Sequence, residues 1–167
     1  ITDIHQYVGG YAEQVLKLET DWDYIIINGD MFDTLHVPDG KNIYTAKQTC
    51  EWINQKMEEW GDKATWHVGN HDISYLSSYC RDYTKTKRNP NYCCSGWTRN
   101  KAKYFSKSID PKWIDNLKLC TLLGKNLVVS HAGFVYNHFK PFKSELDNIN
   151  LYYDDWENEK HSFKYEP

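Results

Sequence analysis

Cysteine occurs in this chain but never at the spacing of a metal ribbon or a redox centre. Cys50, Cys80, Cys93, Cys94 and Cys120 form an odd set without a CxxC pair, which argues against a complete disulfide framework and against a cysteine-built zinc knuckle. Reduced thiols in a cytoplasmic protein are the expectation. Long apolar runs are also missing. The most strongly apolar stretches, such as residues 25–27 and 127–129, fall far short of the roughly 20 residues a helix needs to cross a bilayer, so no membrane span is expected. Pro and Gly are sparse, at 5 and 9, with no Pro/Ser/Gly linker and no internal repeat, so residues 1–167 read as one domain rather than a collagen-like or linked array. Disorder is excluded by what is abundant: apolar residues make up 40% and aromatics 16%, including 7 Trp and 13 Tyr, enough to bury a real core.

Charge is low overall and uneven along the chain. The net charge is -3, yet residues 80–108 carry Arg81, Lys85, Lys87, Arg88, Arg99, Lys101, Lys103 and Lys107 against the one acid Asp82. All the arginines of the chain lie there, interleaved with Tyr83, Tyr92, Trp97, Tyr104 and Phe105. Such a mixture can hold phosphates while stacking on bases, but a solvated insertion of about residues 80–108 in the single domain is the expectation, because Asn89-Pro90 and Ser95-Gly96 are turn signals.

Hydrophobic periodicity gives the organisation. Residues 24–27, 64–68 and 127–129 are short apolar runs that stop at Asn28-Gly29, Gly69 and Ser130, the signature of strands buried on both faces; Ile1-Thr2 reads as the end of another. Ile43, Ala46, Cys50, Ile53, Met57 and Trp60 are spaced by threes and fours until Gly61, which predicts a helix with a core stripe. Tyr11, Val15 and Leu18 predict a second after Gly9-Gly10. Alternating strands and helices imply an α/β layered sheet, and residues 117–130 predict a late hairpin whose second strand joins it.

In an open α/β sheet, ligands gather beyond the carboxyl ends of the strands. The residues there are Asp3 and His5, then Asp30 and Asp33, then Asn70, His71 and Asp72, then His131. Carboxylate, amide and imidazole donors without thiolate suit Mn²⁺, Fe or Zn²⁺. Gly29, Gly69 and Gly133 beside them let backbone and substrate approach closely.

The four motifs Asp3-Ile4-His5, Gly29-Asp30-Met31-Phe32-Asp33, Gly69-Asn70-His71-Asp72 and Ser130-His131-Ala132-Gly133 resemble those of the calcineurin-like metallophosphoesterases, in the branch of the serine/threonine phosphatases and diadenosine tetraphosphate hydrolases. The resemblance spans residues 3–133 and implies a β-sandwich flanked by helices. It also implies a binuclear centre of two divalent ions, Mn²⁺ first, with Fe or Zn²⁺ as alternatives. Asp3, His5 and Asp30 would hold one ion, Asp30, Asn70 and His131 the other, and His71 would be the general acid. The implied reaction is hydrolysis of a phosphate ester or anhydride by a metal-bridging hydroxide, without a covalent intermediate. Asp33 would orient the His71 imidazole, although the same position suits a helix N-cap.

Three positions depart from the family pattern. Thr34-Leu35 stand where those subgroups have Arg-Gly, and Gln6 replaces the glycine after D-x-H. No Gly-His pair follows Ser130-His131, where the family has its last metal-binding histidine. His138 and His161 are poor substitutes, and the expectation is a fragment lacking both edges of the domain, with that histidine beyond Pro167. His67 is expected to pack beside the sheet, and His36 to reach toward substrate. Arg81, Arg88 or Arg99 would replace the missing arginine on substrate phosphate. The partner is then a phosphorylated substrate: a phosphoprotein, a nucleotide or a nucleic-acid end. Two alternatives remain, a dinucleoside polyphosphate or nucleic-acid phosphoesterase using the basic segment, and a non-catalytic scaffold that kept the fold.

Overall fold

The structure is a computed structural model, and the residues it describes are 1–34, 42–76, 94–124 and 127–132. Three strands form a parallel sheet in the order β1-β2-β3: β1 (Ile25–Asn28), β2 (Ala64–His67) and β3 (Leu117–Lys118). The register pairs Ile25 with Ala64 and Asn28 with His67, so β1 and β2 end level and their following loops open at the same rim. Thr2 adds a parallel bridge to Asn28 on the outer side of β1, as the Ile1-Thr2 reading anticipated.

The late hairpin is present, β4 (Cys120–Leu123) against β5 (Leu127–Ser130), but it forms its own antiparallel sheet. The expectation that its second strand joins the parallel sheet is corrected. Side chains link the two sheets instead: Asn28 Nδ2 donates to the Ser130 carbonyl at 3.1 Å, and His67 bridges Asn28 Oδ1 and Thr121 Oγ1, both at 2.7 Å. Local pattern specifies strands; which strand a β-segment pairs with depends on contacts distant in sequence. The α/β reading holds, with helices packed around one parallel and one antiparallel sheet.

The predicted core helix is α2 (Ala46–Trp60). It begins after Ile43 because Thr45 and Gln48 form a reciprocal capping box, and it stops at Gly61, whose φ of 50° a side chain tolerates poorly. Ala46, Cys50, Ile53 and Trp60 of the expected stripe are buried. The first helix departs from its reading. A π-turn over Val8–Ala12 precedes α1 (Glu13–Leu18), Val8 and Ala12 are the buried residues, and Leu18 is 81% exposed. The extra residue in a π-turn rotates all that follows by about 100°, which carries Leu18 off the inner face.

Three more helices complete the described chain: α3 (Asn70–Leu76), α4 (Arg99–Ser108) and α5 (Pro111–Asn116). Aromatic residues fill the core in two groups. Trp60 stacks on Trp66 with Trp52 edge-on to both; Phe32 packs against Tyr75, Phe105 and Trp113. The second group lies under the loop after β1 and anchors α3, α4 and α5 to it. Residues 80–93 of the basic aromatic stretch lie outside the described residues. Its remainder is not irregular beyond residue 98, since α4 seats Phe105 in the core. No helix among the described residues is long and apolar enough to cross a membrane.

Candidate metal centre

The backbone at the sheet rim is unusual. Asp3, His5, Gln6, Asp30 and Asp33 all have φ between 46° and 69°, the left-handed region that non-glycine residues enter at a cost of order 1 kcal/mol or more each. Hydrogen bonds hold them there. The amides of Asp3, His5 and Gln6 donate to the carbonyls of Gly29, Asp30 and Met31 at 3.2, 2.8 and 2.9 Å. Gln6 then uses its side chain as a cross-brace, Oε1 accepting from the Asp33 amide at 3.2 Å and Nε2 donating to the Tyr44 carbonyl at 2.7 Å. The residue that departs from the D-x-H-glycine pattern thus ties two ligand-bearing loops together.

Asp72 fixes the loop from beneath. Its buried carboxylate accepts from the amides of Asp30 and Met31 at 2.8 Å, Gly69 at 3.0 Å and Phe32 at 3.4 Å. Burial, and next the charge of Asp30, push the Asp72 carboxyl up to about 7, against the pull of those amides. Glycines allow the close approach: a Cβ on Gly69 would lie 2.1 Å from Asp30 Oδ1, and one on Gly29 would lie 2.7 Å from His131 Nδ1.

These supports converge on Asp30, which is 3% exposed. Its Oδ2 lies 3.2 Å from His131 Nε2 and 3.7 Å from His5 Nε2, and its Oδ1 accepts from the His71 amide at 2.8 Å. Asp3 Oδ1 is 3.8 Å from His5 Nε2, and Asn70 Oδ1 is 3.1 Å from His131 Nε2. Two ligand groups share Asp30, one with Asp3 and His131 and one with His5 and His71, the donor atoms of each lying within 4.8 Å of one another.

The imidazole protons are spoken for. His5 Nδ1 lies 2.8 Å from the Asp33 carbonyl and 3.1 Å from that of Phe32, while His131 Nδ1 lies 2.7 Å from the Asn28 carbonyl. Carbonyls only accept, so Nδ1 carries a proton in each ring, and Nε2 is the atom turned toward the oxygens of Asp3, Asp30 and Asn70. Carboxylate and amide oxygens and the Nε2 atoms of two imidazoles gathered at one point form the ligand set a divalent cation satisfies, and backbone carbonyls commonly fix metal-binding imidazoles through their other nitrogen in this way.

Asp33, with no exposed surface, accepts from His71 Nδ1 at 3.1 Å through Oδ2. Among the described residues it caps no helix, α2 being capped by Thr45, and residues 35–41, where a helix following it would begin, lie outside them. The Tyr75 hydroxyl and the Cys94 thiol also donate to it, and Lys101 Nζ lies 3.5 Å away. Burial and then Asp33 hold the Tyr75 hydroxyl protonated and push the Cys94 thiol up to about 12.

Asp3, His5, Asp30, Asn70, His71, Asp33 and His131 are therefore brought to one rim. Arg99 stands exposed at the start of α4, whereas Arg81, Arg88, His36, His138, His161 and Gly133 lie outside the described residues. His67 is buried in β2, as expected. Sequence reasoning quoted Asp72 within a motif without giving it work, and passed over Tyr75 and Cys94. A helix-start Asp beside a Gly-Asn pair was the available signal for Asp72; Tyr75 and Cys94 had none. A cleft of about 730 Å³ lined by Tyr24, Asn54, Thr65, Asp110 and Lys118 lies at the other ends of β1 and β2, away from these residues.

A family model described as calcineurin-like phosphoesterase matches residues 1–166. No curated protein and no solved structure matches the chain significantly.

Proposed function

The chain belongs to the calcineurin-like phosphoesterase family, and from that membership we propose that it hydrolyses a phosphate ester or anhydride with two divalent ions held around Asp30. The observation that carries this reading is the buried Asp30 carboxylate shared by two ligand groups. By the family resemblance Asp3, His5 and Asp30 would hold one ion and Asp30, Asn70 and His131 the other; the two groups of the structure share Asp30 but divide these residues differently, pairing Asp3 with His131 and His5 with His71. When bound, such a pair, Mn²⁺ or alternatively Fe or Zn²⁺, supplies positive charge to phosphate oxygens and lowers the pKa of water.

The rest is done by the chain's own groups. Nδ1 of His71 is engaged by Asp33 at 3.1 Å, so Nε2 is the atom that delivers a proton to the departing oxygen. The Asp33 carboxylate holds the ring in the orientation for that transfer. Arg99, with Arg81 and Arg88, would grip substrate phosphate through bidentate guanidinium contacts. The substrate class is a phosphoprotein, a nucleotide or a nucleic-acid end, met in the cytoplasm.

The test is turnover of p-nitrophenyl phosphate with and without Mn²⁺. Activity is expected only with the metal, and Asp30→Asn should abolish it. His71→Ala should cost about 100-fold on phenyl phosphate, whose departing oxygen needs a proton. Metal-independent turnover, or full activity in Asp30→Asn, would refute the assignment.

A further inference from the structure

We infer that residues 94–101 form a seat for the Asp33 carboxylate, and that Lys101 is the positioning residue that fixes Asp33 against His71. The inference rests on the phosphoesterase reading above. Asp33 is wholly buried and surrounded by donors: His71 Nδ1 at 3.1 Å and the Cys94 thiol on Oδ2, the Tyr75 hydroxyl and the Lys101 ammonium, at 3.5 Å, on Oδ1. A buried carboxylate is tolerated only with such partners. Two of these donors stand on α3 and move with it; the other two come from the separate segment 94–101.

That segment is shaped around Asp33. Cys94 is pinned by its amide donating to Ser74 Oγ at 3.0 Å, and its carbonyl accepts from the Trp97 amide at 3.1 Å to close a turn. Gly96 lies at the top of the turn, where a Cβ would sit 2.6 Å from Asp33 Cβ. Thr98 caps α4 by accepting from the Lys101 amide at 3.2 Å. The Lys101 side chain folds back over the helix start, donating to the Gly96 carbonyl at 2.8 Å. Its charge is thereby directed at Asp33 rather than into solvent, unlike that of exposed Arg99. A carboxylate held at both oxygens cannot swing, so the His71 ring it contacts is held too. Small misplacements of a proton donor cost rate without changing how tightly substrate binds.

The experiment compares phenyl phosphate with 2,4-dinitrophenyl phosphate, whose far more acidic leaving group needs no proton, using the Mn²⁺-loaded full chain. Lys101→Met should lower kcat for phenyl phosphate about tenfold with KM within about twofold, and leave the dinitrophenyl ester changed by less than about twofold. Lys101→Arg, which keeps the charge, should recover most of the loss. Lys101→Met should add nothing to Asp33→Asn, because both act through one carboxylate. Equal losses on the two esters, no loss on either, or additivity with Asp33→Asn would overturn the inference. If the unsubstituted chain hydrolyses neither ester with Mn²⁺, the phosphoesterase reading itself fails, and this inference with it.

Discussion

Removing the Asp72 carboxylate leaves the amides of Asp30, Met31 and Gly69 without an acceptor in a place water does not reach. Asp72→Ala should therefore lower stability by about 2–4 kcal/mol, the scale of several buried donors left unsatisfied, read as a lower urea midpoint with an unchanged slope. A midpoint equal to that of the unsubstituted chain would show that the loop holds itself. His67 gives a second residue-level expectation. Burial, then the charges of Lys118 and His131, lower its pKa from 6.5 to about 4. The folded imidazole thus resists protonation that the unfolded one accepts, so its contribution is complete above pH 6.5 and is lost as the pH falls toward 4. Urea titrations across that window should show stability falling with pH, and His67→Asn should flatten the fall; parallel slopes would contradict this. His67 was legible as a packed residue because it interrupts an apolar strand. Asp72 was not, because a carboxylate that accepts backbone amides looks in sequence like any helix-start aspartate.

Among the elements, α2 was the most legible, since an uninterrupted stripe at helical spacing reports burial directly and Gly61 marks its end, whereas its start is set by the Thr45–Gln48 box, which the stripe from Ile43 overruns. Thr45→Ala should cost about 1 kcal/mol in thermal or chemical denaturation, the usual value of an N-cap oxygen. The first helix is present where its stripe predicts it, but Leu18 does not face inward, because the spacing rule assumes a constant turn and the π-turn at Val8–Ala12 breaks it. The helix α4 was hidden behind its charge: four of its residues are Lys or Arg, but it buries Phe105 in the core beside Phe32, Tyr75 and Trp113, with Ala102 packed against the same core. Phe105→Ala should accordingly destabilise by about 3–5 kcal/mol. It should also depress phenyl phosphate turnover in excess of the unfolded fraction, because α4 carries Lys101. Unchanged stability would mean the helix is held elsewhere.

For the molecule as a whole, the level ends of parallel β1 and β2, with the end of the antiparallel β5 beside them, put the chemically active residues at one rim, and that much is encoded by position: each apolar run is followed within two residues by Asp, Asn or His. What position does not encode is the left-handed backbone at Asp3, His5, Gln6, Asp30 and Asp33, since each such φ is imposed by hydrogen bonds from segments distant in sequence. A rim so assembled concentrates oxygens around Asp30, so an added divalent cation should stabilise the fold. Mn²⁺ should raise the free energy of unfolding by about 3 kcal/mol for each ion at a hundred times its dissociation constant. The most direct test of the central claim is the number of Mn²⁺ ions bound per chain, measured by titration calorimetry on the unsubstituted protein and on Asp30→Asn. The account predicts two ions for the former, and loss of both, or sharply weakened binding at each, for the latter. Two ions bound by Asp30→Asn with unchanged affinity would contradict it.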